Sequence, residues 1–310
     1  MSTDNDYILE NIKNEHSFIK DLDYYKLYEE FNKSCNNIFG NDACYNRTTD
    51  GWPKTHDVIE LLKDIHGNLY KIYATLNGDR SEYFDDFNPD NDKICCVSLK
   101  YWLYDKIVTK NLNDAQIKEL YEGWKNHIHP KAEYHRFQPC IFHNLNKDEI
   151  NSIKNIYALT TILQSTREIF ENCNEKVCKY KDYFEQGLIE FINSANKCSG
   201  DSRLEGYCAE FRDFLNICHD NQENKGIRLS ANYYVPSVDD GMRYLLSVKN
   251  KENQALYVYI KDNKWLNWDK IYDILNTQKR TTIAPTSIAG SAIGLSSIFY
   301  YLYKVNLDPI

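Results

Sequence analysis

Glycine is scarce in this chain, 12 residues in 310, and none of it falls into a phosphate-cradling pattern. Neither a P-loop nor a glycine-rich strand-to-helix turn of the dinucleotide type occurs, so nucleotide chemistry is not expected. No G-x-S-x-G elbow and no H-E-x-x-H helix occurs either. The acidic residues are scattered over polar stretches, where they read as solvated surface. No cysteine is singled out as a nucleophile, which needs an unpaired, activated thiol. The chain is therefore expected to be no enzyme and to use no cofactor. A basic stripe is also missing: 37 basic residues stand against 45 acidic ones, a formal net charge of -8. Nucleic acid and anionic lipid surfaces are poor partners for such a chain.

The first thirty residues are polar and acidic (Asp4, Asp6, Glu10, Glu15) and lack the apolar core that precedes a small-residue cleavage site. No conventional signal peptide is expected. Residue 2 is Ser and the chain ends Leu-Asp-Pro-Ile, so no lipidation signal is read.

Cysteine is absent beyond residue 218, yet ten precede it: Cys35, Cys44, Cys95, Cys96, Cys140, Cys173, Cys178, Cys198, Cys208 and Cys218. An even number confined to one segment, without Cys-x-x-Cys knuckles, fits a disulfide framework better than zinc ligation. Adjacent Cys95 and Cys96 would strain a bond to each other, so each is expected to take a different partner. The rest of the connectivity is not readable. Five metal-ligand types do cluster at His127, His129, His135, Cys140 and His143. Zinc uses such residues, but a polar connector with scattered histidines and an oxidised Cys140 is the preferred reading, so no metal is expected.

One long stretch carries no charge. From Thr281 to Tyr303 the chain runs TTIAPTSIAGSAIGLSSIFYYLY, bracketed by Lys279-Arg280 and Lys304. A spanning helix needs about 20 residues, and Tyr300, Tyr301 and Tyr303 sit where amphipathic rings favour the headgroup boundary. Ser and Thr dilute the stretch, so a buried hairpin or an interfacial helix is the competing reading. Gly290 and Gly294 form a G-x-x-x-G step that would let two such helices approach and form a homodimer. The flanking charges would leave the N-terminal domain in the cytosol by the positive-inside rule, whereas ten cysteines ask for an oxidising compartment. The cysteines outweigh a bias of one charge, so residues 1–280 are expected outside. Two sequons, Asn32-Lys33-Ser34 and Asn46-Arg47-Thr48, permit glycosylation there.

Helical periodicity dominates the remainder. Behind Thr55, a plausible N-cap, Val58, Leu61, Leu62, Ile65, Leu69, Ile72 and Leu76 follow three-and-four spacing. Similar stripes fall in 8–31 (Ile8, Ile12, Ile19, Leu22), 97–107 (Leu99, Trp102, Leu103, Ile107), 117–124 (Ile117, Leu120, Tyr121, Trp124) and 148–172 (Ile153, Ile156, Leu163, Phe170). Two further helices are expected near 179–194 and 203–219. On the second, Cys208 and Cys218 lie roughly 80° apart around the axis at about 100° per residue, so both are expected to staple one face to neighbours. Pro89, Pro130 and Pro139 punctuate the helices. Residues 244–248 and 255–260 alternate like strands around polar 250–253, which predicts a small hairpin.

The stretches LNKDEINSIKNIYALTTILQSTREIF (145–170) with Pro139-Cys140, DLDYYKLYEEFNK (21–33), CNEKVCKYKDYFEQGLIEFINSANKC (173–198) and YCAEFRDFLNIC (207–218) carry a family likeness. So does Ile283-Ala284-Pro285-Thr286 opening the uncharged stretch. In spacing and texture they resemble the Plasmodium interspersed repeat superfamily, specifically its vir-like variant antigens. The resemblance covers most of 20–220 plus the uncharged stretch. It implies a helical, disulfide-bonded parasite protein, exported without a cleaved signal peptide to the infected red cell or a parasite membrane. The roles it implies are antigenic variation, adhesion and immune modulation. Two departures stand out: the tail after Lys304 is short and lacks an aromatic end, and residues 228–268 do not match.

The expected architecture is thus mainly α: a cysteine-rich helical ectodomain (1–222), a divergent juxtamembrane segment (223–280) with the hairpin, a transmembrane helix (281–303) and a cytoplasmic tail (304–310). Its expected partners are the membrane, in a single pass, and a host cell receptor or antibody. An intracellular membrane-tethered scaffold with reduced cysteines is the alternative.

Overall fold

The longest apolar stripe builds the longest helix. The computed structural model describes residues 9–15, 19–20, 22–33, 49–76, 82–84, 92–129, 140–163, 179–198, 206–219, 227–233, 241–261, and 269, 271–273, 275 and 276. In it His56–Leu76 is a 21-residue helix, α3. Val58, Leu61, Leu62, Ile65, Leu69 and Ile72 are buried along one stripe and Leu76 is half-buried at its end. Thr55 does hold the N-cap position, its carbonyl accepting from the Ile59 amide at 3.0 Å. Its hydroxyl, however, donates outward to Glu119 at 2.8 Å and so ties the start of α3 to the next helical layer.

The stripe expected over 8–31 is two helices, α1 (Leu9–Glu15) and α2 (Asp23–Asn32), with Ile19 and Leu22 buried between them. The buried positions of α2 are largely aromatic: Tyr24, Tyr25, Leu27, Tyr28 and Phe31. The stripe at 97–107 belongs to α4 (Asp92–Thr109), and here the one-sided reading fails. Every residue from Val97 to Asp105 is buried, because α4 packs against α2, α3, α6 and α8 and has no solvent face along that stretch.

Two helices owe their starts to capping boxes, in which a side chain and a backbone amide exchange hydrogen bonds across the first turn. Asn113 and Gln116 open α5 (Asp114–Gly123), which continues into a π turn over Trp124–Ile128. Asn146 and Glu149 open α6 (Lys147–Leu163) at 2.9 and 3.1 Å. Then come α7 (Lys179–Lys197) and α8 (Gly206–His219). The α6–α7 crossing is close at Gly187, where a Cβ would stand 2.7 Å from the Asn155 carbonyl oxygen.

The expected hairpin forms and gains a strand. β2 (Met242–Lys249) and β3 (Ala255–Lys261) pair antiparallel, and β1 (Ile227–Ser230), which was not foreseen, adds to the other side of β3. Asn250 shapes the turn, its side-chain oxygen accepting from the Glu252 and Gln254 amides at 3.1 and 2.9 Å, while Asn253 takes a left-handed φ of 64°. Alternation places Leu229, Val248, Leu256, Val258 and Ile260 on the buried face, with β1 packing against α8 and β2 against α7. A register shift between Tyr244 and Leu246 interrupts the ladder.

Helices and sheet form one compact unit, Met1–Asn267, and Trp268–Ile310 forms a second, whose described residues are helical. Among the described residues no helix is long and apolar enough to cross a membrane. The uncharged stretch 281–303, with Gly290 and Gly294, lies outside the described residues.

Candidate functional site

Charges do not simply line the polar faces. Glu30, Asp105 and Glu210 are buried, which corrects the reading of the carboxylates as solvated surface. Each is held by a lysine reaching across helices. Lys71 on α3 meets Glu30 on α2 at 3.1 Å and also donates to the Glu30 carbonyl at 3.2 Å. Lys154 on α6 sits against Asp105 on α4. Lys100 on α4 meets Glu210 on α8 at 2.8 Å. A buried charge is tolerated when it is paired and its remaining lone pairs are used. Tyrosines add donors: Tyr104 and Tyr157 donate at 2.7 and 2.8 Å to the same Glu210 oxygen that Lys100 reaches, while the other Glu210 oxygen is buried without a hydrogen bond, and Tyr28 and the Leu9 amide donate to Asp105 at 2.8 and 3.0 Å.

Burial, followed by the nearby Glu210 charge, pushes the Tyr104 and Tyr157 hydroxyls well above their ordinary pKa. They therefore stay protonated donors. Burial likewise raises the Asp105 carboxyl despite the opposing Lys154.

One turn of α8 beyond Glu210, Asp213 joins three pieces of chain. His143, from the segment after Cys140, lies 2.6 Å from one carboxylate oxygen, and Lys251 from the hairpin turn lies 3.5 Å from the other. Burial alone would raise this carboxyl; the His143 hydrogen bond and the Lys100, His143 and Lys251 charges outweigh it and hold Asp213 below its ordinary pKa.

Two disulfides lie among the described cysteines. Cys96 pairs with Cys140, tying α4 to the connector before α6, and Cys198 pairs with Cys208, tying the end of α7 to the start of α8. Cys95 is buried beside Cys96 and does not bond to it. Cys218, expected to staple α8 to a neighbour as Cys208 does, is instead a buried thiol, its pKa pushed up to about 12 by burial. Cys35, Cys44, Cys173 and Cys178 lie outside the described residues.

The histidine cluster disperses. His127 stacks on Trp52 with centroids 5.6 Å apart, His129 meets the edge of Trp124, His143 serves Asp213, and Cys140 is oxidised. His135 lies outside the described residues, and among those described no group of three metal-ligand types gathers. The sequon at Asn32 is also engaged: its side chain donates to Glu10 at 3.3 Å and accepts from the Trp102 indole at 3.1 Å.

The second face of the sheet is aromatic and only partly accessible, with Tyr259 buried and Tyr244 and Tyr257 half-buried. Tyr244 and Tyr259 are cross-strand partners on the face opposite Val258, and Tyr257 follows on the same face. Tyr233 stands over them, 5.9 Å from Tyr244 and 5.4 Å from Tyr257, and is itself 53% exposed. The expected strand alternation implied two faces here, but only the third strand and the Tyr233 contact make the aromatic group visible.

The chain matches no protein-family model, no curated protein and no solved structure.

Proposed function

We propose that this chain is a membrane-anchored display protein of the Plasmodium interspersed repeat type, a variant surface antigen with a role in adhesion or immune modulation. The reading rests first on the disulfides Cys96–Cys140 and Cys198–Cys208, because such bonds persist in oxidising compartments. A disulfide contributes about 2–4 kcal/mol by constraining the unfolded chain, so loops and turns can change without loss of the scaffold. The uncharged stretch 281–303 would supply the anchor, and residues 1–280 would face outward. The family likeness in 20–220 supplies the biological setting. No catalytic role is assigned.

Protease shaving of intact infected cells tests the reading. Epitopes from residues 1–280 should disappear while the cells stay unbroken; full protection of those epitopes would overturn it. The flanking pair Lys279-Arg280 favours a second reading, a membrane-tethered scaffold facing the cytosol. That reading predicts thiols at all four bonded positions and no mobility difference between reducing and non-reducing gels.

A further inference from the structure

We infer that the outer face of the three-stranded sheet is a docking surface for an acidic segment of a partner protein. The inference deepens the display reading and relies on it for access to that partner. The face is built by register. Ser230, Tyr257 and Ser247 lie in one cross-strand row, opposite to the buried Leu256, Val258 and Ile260; in the next row Tyr244 is half-buried and Tyr259 is itself buried, so the accessible part of the face is the first row with Tyr233 and the edge of Tyr244. Tyr233 caps the rows and remains 53% exposed, while Ser247, Lys249 and Ala255 are exposed beside it. Tyrosine and serine together form the chemistry of recognition surfaces: the rings supply contact area with only two torsions to order, and the hydroxyls adapt their hydrogen bonds.

Charge selects the occupant. On the tyrosine face Arg228, the cross-strand partner of Tyr259, and Lys249, opposite Ala255, are both exposed, inside a chain whose total is -8. Lys249 ends the tyrosine face, and Lys251 follows in the turn, where it already faces Asp213 at 3.5 Å while 47% exposed, so Arg228 and Lys249 carry the charge of the face. The surface is thus a basic, aromatic island on an acidic molecule. Carboxylates on a partner would be drawn to the island and repelled elsewhere, which sets both encounter and register. An apolar or basic partner gains neither.

The test uses the full-length chain, disulfides intact, in mild detergent micelles, titrated into fluorescent twelve-residue peptides. One peptide is rich in Asp and Glu around a central Leu; its controls replace the acids with Asn and Gln or with Lys. The acidic peptide should bind at least about tenfold more tightly than either control, a difference of about 1.4 kcal/mol. Tyr233→Ala with Tyr257→Ala should weaken it at least about fivefold, the threshold for an energetically important contact. Lys249→Glu, at an exposed position that cannot upset the core, should do the same. Equal binding of the three peptides, unchanged binding by these variants, or equally strong and variant-insensitive binding of heparin would overturn the docking surface. Protease shaving stays independent of this result: exposed epitopes with no peptide binding remove the docking surface alone, and peptide binding with protected epitopes removes the display reading.

Discussion

Lys100 and Glu210 stand 110 residues apart in sequence and meet at 2.8 Å with side chains 1% and 0% exposed. The pair links the central helix α4 to α8, and with Tyr104 and Tyr157 it forms a closed group of donors around one carboxylate oxygen. Such a group specifies which helices adjoin, because each member is costly anywhere else.

Breaking that pair from one side should be expensive. Glu210→Leu or Lys100→Met alone leaves an uncompensated buried charge or unmet donors, and each should lower the unfolding free energy by about 3–5 kcal/mol. The double variant Lys100→Met with Glu210→Leu should recover most of the loss, since apolar residues of similar volume replace a buried ion pair at little cost. Denaturant unfolding of the oxidised protein reads both. Single variants within 1 kcal/mol of wild type would mean that water reaches the pair.

Asp213 predicts an acid limb. Its folded pKa lies below the unfolded value, about 3.9, so its contribution to stability is complete above that value and disappears as pH falls through the folded pKa. Asp213→Asn should lower stability at neutral pH, and the gap to wild type should close below about pH 4, where the wild-type carboxyl also takes up a proton. Unfolding curves recorded from pH 7 to pH 2 check this, and a gap of constant size would sink it.

These two carboxylates show how far sequence reasoning reaches. The helical stripe of α3 was legible because an aliphatic residue every three or four positions has few other uses, and the hairpin was legible because alternation flanked a polar turn. Lys100, Asp105 and Glu210 were not, since lysine and acidic residues are almost never fully buried unless paired, and the partners are set by tertiary packing. Their one visible mark is context: Lys100 sits in Ser-Leu-Lys-Tyr-Trp-Leu, and Glu210 in Tyr-Cys-Ala-Glu-Phe, each charge flanked by residues that seek the interior. Disulfide pairing was hidden for the same reason, because spacing along the chain says little about which thiols meet. Strand β1, four residues long, is too short to show a period.

Cys218 should be chemically silent in the folded protein. A thiol that burial pushes up to about 12 has almost no thiolate at pH 8, and the thiolate is the reactive form. Iodoacetamide at pH 8 should leave Cys218 unmodified until denaturant is added, with peptide mapping as the readout. In the same maps, unreduced digests should contain Cys96 linked to Cys140 and Cys198 linked to Cys208. Rapid native labelling of Cys218 would contradict its burial.

Gly187 reverses an ordinary rule. In an open helix, Gly→Ala stabilises by about 0.5–1 kcal/mol. At Gly187 the added methyl would meet the Asn155 carbonyl oxygen at 2.7 Å and the Leu159 side chain at 2.8 Å, so α6 and α7 must move apart. Gly187→Ala should destabilise by about 1–3 kcal/mol, the range for overpacked sites. Thermal unfolding gives the sign, and a raised midpoint would show that the two helices do not cross there.

The all-round burial of α4 carries an evolutionary corollary. An element with neighbours on every side offers natural selection almost no neutral positions, so from Val97 to Asp105 nearly any replacement must be matched by a second one on α2, α3, α6 or α8. Diversification is channelled to the periphery, and among the described residues the exposed hairpin-turn positions Glu252 and Asn253 have room to change, whereas Lys251 beside them stays tied to Asp213.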